Sequence, residues 1–110
     1  MIKEVLSQPP YYAVIITSKL KPMSDMTVAK YLALADSMYQ LAQQQPGFLG
    51  MDYARDPNLG ITVSYWRSVD DIEKWQKHPE HVDIKAIGRQ EFYDTYDIRI
   101  CLVEREYGSP

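Results

Sequence analysis

The chain has 110 residues, 45% of them hydrophobic and 25% charged, a balance that fits one globular domain and excludes a disordered or low-complexity chain. A formal net charge of -3 at pH 7 excludes the basic surface a nucleic-acid binder needs to displace counterions, so no nucleic-acid partner is expected. A single cysteine, Cys101, excludes an intrachain disulfide, and no stretch approaches the roughly 18 apolar residues of a membrane span.

The opening residues MIKEVLSQPPYY hold two prolines and a glutamate where a signal peptide needs an apolar run, so the expected compartment is the cytoplasm, away from membranes. Residues 1–10 read as an N-terminal arm, because Pro9-Pro10 interrupts both helix and sheet pairing. Residues 11–107 read as one domain and 108–110 as a tail. The run YYAVIITSKL at 11–20 is apolar on both alternating faces, which predicts a strand covered on both sides. Ser24 and Asp25 offer cap oxygens to a helix over about 26–45, with Val28, Tyr31, Leu32, Ala35, Met38, Tyr39 and Ala42 as its apolar stripe. Pro46-Gly47 stops that helix.

Strands are predicted over 48–56 and 60–67, joined by the turn residues Asp56-Pro57-Asn58-Leu59-Gly60. Ser68-Val69-Asp70-Asp71 carries the S-x-x-D capping pattern of a second helix, with Val69, Ile72 and Trp75 inward. His78-Pro79 breaks it, and proline suits the first position of a new helical segment over about 79–92, with Val82, Ala86, Arg89 and Tyr93 on one face. A last strand over 94–107 alternates Tyr96, Ile98, Ile100 and Leu102 with Asp97, Arg99, Cys101 and Val103. The order β-α-β-β-α-β predicts an α+β, ferredoxin-like fold: a four-stranded antiparallel sheet with its helices on one face. Bulky apolar groups on both faces of the first and third strands then call for a cover on the helix-free face. In a chain this short the simplest cover is a second copy, so a homodimer through that face is expected.

At Pro46-Gly47-Phe48-Leu49-Gly50, Gly60-Ile61-Thr62-Val63-Ser64-Tyr65-Trp66, His78-Pro79-Glu80-His81 and Gly88-Arg89 the chain resembles the antibiotic biosynthesis monooxygenase family of dimeric α+β barrels. The resemblance spans about 11–107 and implies a homodimer with a pocket in each subunit between sheet and helices. The family includes cofactor-independent oxygenases of small phenolic or quinol-type aromatics, haem-degrading enzymes and many members with no known activity, so the resemblance implies either chemistry or none. Haem-degrading members carry a first-strand asparagine, a second-helix tryptophan and, ten positions on, a histidine ligand. Trp75 matches that tryptophan, but Lys85 stands at the ligand position and YYAVIITSKL has no asparagine. For the phenol-oxidising branch the resemblance places Trp66 at the end of the third strand as a pocket wall, with Thr62 four positions earlier where the family has asparagine.

By the two-residue period Thr62, Ser64 and Trp66 share a face, suited to orienting a flat aromatic by stacking and a few hydrogen bonds. The competing role for Trp66 is a core residue with its N–H satisfied locally, and Trp75 on a helical inner stripe is equally a core position. Tyr53, Tyr65 and Tyr96 are candidate hydroxyls, and Arg89 and Arg99 candidate cations, against packing and solvated roles. His78 and His81 are spaced i, i+3 across Pro79 and are not a metal motif, so no metal is expected. If His81 faces the pocket, a near-neutral pKa lets it take a phenol proton, which makes His81 and Trp66 the catalytic candidates and Thr62, Ser64, Trp66, Trp75 and Tyr65 the substrate-binding ones. The functional expectation is therefore a monooxygenase that needs no cofactor. Its alternatives are a non-catalytic dimeric small-ligand-binding or stress-related module and, third, a haem binder disfavoured by Lys85.

Overall fold

In a computed structural model, which describes residues 8–56 and 58–109, the apolar run of 11–20 becomes an inner strand, β1 (Tyr11–Leu20), flanked on both sides. The chain continues through helix α1 (Asp25–Gln43), strands β2 (Phe48–Arg55) and β3 (Gly60–Trp66), helices α2 (Val69–Lys77) and α3 (Pro79–Glu91), and strand β4 (Tyr93–Val103). The sheet order is β2-β3-β1-β4 with every pair antiparallel, which is the ferredoxin-like α+β arrangement with its second helix split in two. Residues 1–7 of the expected arm and Pro57 of the expected turn lie outside the described residues.

Local chemistry sets the element ends. Ser24 Oγ accepts from the Thr27 N–H at 3.2 Å and starts α1. Ser68 Oγ accepts from the Asp71 N–H at 3.1 Å and donates its own O–H to Asp71 Oδ2 at 2.8 Å, which starts α2. His78 ends α2 and caps α3, its Nδ1 accepting from the Glu80 N–H at 3.3 Å, while Pro79 fills a first-turn position whose N–H would be idle in any case. Gly47 leaves α1 at φ 80, and a side chain there would run into the Asp71 carboxylate. Asp56 Oδ1 accepts from the N–H groups of Asn58 (2.7 Å) and Leu59 (2.8 Å), and these bonds hold its carboxyl below the usual range. β4 stops at Val103, ahead of the expected 107, because Val103 pairs with Tyr11, the first residue of β1.

The register lays out four rows of side chains across the helix-covered face. They are Phe48–Trp66–Tyr12–Leu102, Met51–Ser64–Val14–Ile100, Tyr53–Thr62–Ile16–Ile98 and Arg55–Gly60–Ser18–Tyr96. A register shift between Phe48 and Gly50 brings Phe48 onto the same face as Met51, three residues on. The core sits over the first two rows, where Val14, Ala42, Trp66, Ile72 and Trp75 pack together. The opposite face carries Ile15, Ile61, Val63, Tyr65 and Cys101, with Ile61 41% exposed.

Two helix faces differ from expectation. On α1, Val28 and Leu32 are exposed, and Leu34 and Leu41 turn inward beside Tyr31, Met38 and Ala42. This helix is apolar over much of its circumference, so its period has two near-equal solutions. On α3, Val82 faces outward and Arg89 is exposed at the rim of the cavity between helices and sheet, while His81 and Gly88 are buried and Ile84 and Lys85 half-buried. Val69, expected inward on α2, is also exposed.

Candidate functional site

Beyond the core the sheet and helices part to leave a cavity of about 540 Å³, a size suited to a small organic ligand. Val14, Ile16, Ser18, Met51, Thr62 and Ser64 form its floor on the sheet, and Tyr31, Leu34, Met38, Ile72, Trp75 and His81 are among its helical walls. Rows on a sheet face lie about 6.6 Å apart, so the floor from Ser64 to Gly60 extends roughly 13 Å.

One end is a stack of aromatic rings. Trp66, fully buried, lies 6.0 Å from Trp75 at an interplanar angle of 28°, and Trp75 lies 4.1 Å from the His81 ring at 10°. Trp66 donates its indole N–H to Ser64 Oγ at 2.9 Å and meets Phe48 edge-on. His81 Nδ1 lies 2.8 Å from the Trp75 carbonyl oxygen. A carbonyl can only accept, so Nδ1 carries the proton and Nε2 keeps its lone pair. Burial pushes the imidazole pKa down to about 4, opposed by the bond to Trp75 and assisted by Lys85 and His78. The ring is therefore neutral near pH 7, which corrects the near-neutral pKa expected for it: the desolvation of a stacked, buried imidazole outweighs its one hydrogen bond.

The other end is polar. Arg55 reaches from β2 over Gly60 to donate from Nη2 to Ser18 Oγ, with its guanidinium 5.8 Å from the Tyr31 ring centre. Burial, with Tyr31 alongside, pushes the Tyr93 phenol up to about 12, so it remains a neutral hydroxyl.

The structure thus brings Thr62, Ser64, Trp75 and His81 to one cavity. Trp66 does not line it. Its side chain lies behind Trp75 at the closed end, held in the core by Phe48 and Ser64, which is the competing role weighed for it. Tyr65 is on the other face of the sheet, edge-on to Tyr11 and donating to Asp52 at 3.0 Å, because the strand period that turns Ser64 inward turns Tyr65 out. Tyr53, Tyr96 and Arg89 border the cavity, whereas Arg99 pairs in register with Ile15 on the opposite face. Lys85 lines the cavity, so no imidazole stands at position 85. The sequence singles out none of Arg55, Tyr31, Tyr93 and Ser18 as a site residue, and Tyr31 and Tyr93 read there as helix packing. The signal for Arg55 was a cation closing the alternation Met51, Tyr53, Arg55, visible only once the β2 register is known. Among the described residues no three His, Cys, Asp or Glu side chains gather as a metal site, and no helix is long and apolar enough to cross a membrane.

The chain has relatives in both sequence and fold. It is 44% identical over 100 residues to the uncharacterized protein YqjZ of Bacillus subtilis, covering 90% of this chain and 84% of that one. SnoaB, a cofactor-independent oxygenase from Streptomyces nogalater, superposes with a TM-score of 0.76 at 12% identity over 92% of this chain and 100% of its own. A dimeric ferredoxin-like protein of unknown function from Thermobifida fusca superposes with a TM-score of 0.74 at 13% identity, over 94% and 100% of the two chains. Those two likenesses establish the fold alone. The model of the antibiotic biosynthesis monooxygenase family matches residues 12–87, a stretch that runs from β1 into α3 and includes the ring stack and most of the cavity floor. Taken with the YqjZ relation, that match makes this chain a member of the antibiotic biosynthesis monooxygenase family.

Proposed function

We propose that the protein is a homodimeric, cofactor-independent monooxygenase acting on a flat phenolic or quinol-type aromatic. The observation that carries this reading is the neutral His81, stacked on Trp75 beside an apolar cavity of about 540 Å³. Trp75 and His81 form the ring platform, Thr62 and Ser64 offer hydroxyls from the floor, and Nε2 of His81 accepts the substrate O–H. Full transfer of a phenol proton (pKa about 10) to an imidazole of pKa about 4 costs on the order of 8 kcal/mol, so the ring does not hold a phenolate at rest. It takes the proton as the electron leaves. An oxidised phenol is a far stronger acid than the phenol, and a weak base then suffices.

For an anthrone the balance closes without another reductant. The enol form gives one electron to oxygen and its proton to Nε2, and the carbon radical combines with superoxide to form a C–O bond. Nε2 returns the proton to the peroxide, which loses water to leave a ketone. One oxygen atom of O₂ ends in the product and the other in water with the two hydrogens of the former methylene. SnoaB, of similar fold, is itself an oxygenase that works without a cofactor.

Oxygen uptake with a panel of anthrones and hydroquinones tests this. His81→Phe keeps a ring for stacking but lacks the acceptor nitrogen, and is expected to lower the rate roughly 100-fold or more while ligand still binds. An unchanged rate in that variant overturns the role of His81. Binding without uptake in the wild type leaves a ligand-binding module instead.

The assembly follows from the uncovered side of the sheet. Ile15, Ile61, Val63 and Tyr65 give the helix-free face an apolar centre, flanked by Asp52 on one side and Asp97 and Arg99 on the other, and a second copy placed there buries that centre by two-fold symmetry. Light scattering at micromolar concentration is expected to return twice the monomer mass of 12.8 kDa, and a monomer refutes the interface.

A further inference from the structure

The end of the cavity remote from His81 is built around a cation with an idle donor. Arg55 stands opposite Gly60 in the β2–β3 register, and Gly60 stands opposite Ser18 in the β3–β1 register. Gly60 is buried and has no side chain, which leaves room for the guanidinium to lie flat across β3; a Cβ at that position would collide with it. Nη2 is used on Ser18. Nη1 is buried and has no hydrogen-bond partner. Buried charged donors are almost always satisfied, since an idle one forfeits its hydration with nothing in return. The adjacent carboxylate, Asp56, is fully exposed and already accepts from Asn58 and Leu59.

Charge around the cavity points the same way. Its walls carry Arg55, Lys85 and Arg89 against the single carboxylate of Asp36, in a chain whose net charge is -3. The cavity is thus locally cationic in an acidic protein, which concentrates anions at its mouth.

From these observations we infer that the ligand of this cavity carries a carboxylate, bound by Nη1 of Arg55 at the Gly60–Ser18 row, while its aromatic body lies toward Trp75 and His81. The inference rests on the aromatic reading of the cavity and adds to it the acid group and the orientation. With roughly 13 Å of floor between the two ends, a two-ring or three-ring hydroxy acid with its hydroxyl and carboxylate at opposite ends is the class that reaches both.

Calorimetric titration at pH 7.5 with 6-hydroxy-2-naphthoate and with its neutral counterpart, 6-hydroxy-2-naphthamide, tests the assignment apart from any turnover. The acid is expected to bind the wild-type protein roughly ten-fold or more tightly than the amide. In Arg55→Gln the preference is expected to fall within about two-fold, and Arg55→Lys is expected to restore part of it as a point charge. A merely structural Arg55 would alter stability without altering the ratio of acid to amide. The wild-type comparison involves no substitution and tests the carboxylate even if Arg55→Gln fails to fold; in that case Arg55→Lys, which keeps a charge but loses the paired donors, tests the assignment to Arg55 by a reduced preference. Equal binding of acid and amide by the wild type overturns the carboxylate and leaves the aromatic reading standing. A preference that survives in folded Arg55→Gln also overturns it, moving the acid to Lys85 or Arg89. Failure of both probes to bind at about 1 mM overturns the inference together with the aromatic reading.

Discussion

Trp66→Ala is expected to lose about 3–5 kcal/mol of folding stability, the usual cost of emptying a fully buried tryptophan site. Three contacts fail at once: the edge contact with Phe48, the stacking with Trp75, and the indole N–H that satisfies the buried Ser64 hydroxyl. Domains of this size hold only about 5–15 kcal/mol in total, so the variant should melt roughly 15 °C or more below the wild type, or fail to fold. Trp66→Phe keeps a ring in the core and loses mainly the hydrogen bond and some volume. Its stability loss should be smaller, and its affinity for an aromatic ligand should stay within about three-fold, because Trp75 and not Trp66 lines the cavity. Thermal melting and ligand titration of the two variants separate a core role from a wall role. If Trp66→Phe melts like the wild type yet loses the ligand, Trp66 belongs to the site after all.

That distinction shows where reading the chain reached its limit. Alternation correctly turned Thr62, Ser64 and Trp66 toward the helices, because a strand period depends only on the backbone. Alternation does not report depth. Trp66 is sealed off because Ile72 and Trp75 of α2 descend over the first row, a matter of tertiary packing. The element ends were legible for the opposite reason: Ser24, Ser68, His78-Pro79 and Pro46-Gly47 act through bonds a few residues long. The inner face of α3 was missed because His81, Lys85 and Gly88 occupy it, and polar or side-chain-free residues facing a cavity erase the apolar period that marks a core face. The misread phase and the candidate site therefore coincide. Arg55 was hidden by the register shift near Phe48, which no local pattern announces.

The buried imidazole also sets how the fold responds to acid. His81 titrates near 4 in the folded chain and near 6.5 when exposed, because burial against Trp75 penalises the charged ring more than its bond to the Trp75 carbonyl favours it. Above about pH 6.5 both folded and unfolded chains hold the ring neutral, and its contribution to stability is complete. Between about 6.5 and 4 the unfolded chain takes up a proton that the fold refuses, so stability falls as pH falls. Below about 4 both states are protonated and no further loss comes from this residue. The interval corresponds to about 3 kcal/mol of acid sensitivity. Urea denaturation at pH 7 and pH 4.5 should show the wild type losing roughly 2–3 kcal/mol more than His81→Gln, which has no proton to take up. Carboxylates that titrate in the same range act on both proteins and cancel in the difference. Equal losses in the two proteins would mean that the ring is solvated in the folded state, and the neutral acceptor at Nε2 would be lost with it. Across pH 5 to 8 the imidazole does not change charge, so under the proposed mechanism His81 contributes no inflection to oxygen uptake in that window. His81→Phe should then lower the rate without moving any inflection that the uptake profile shows there.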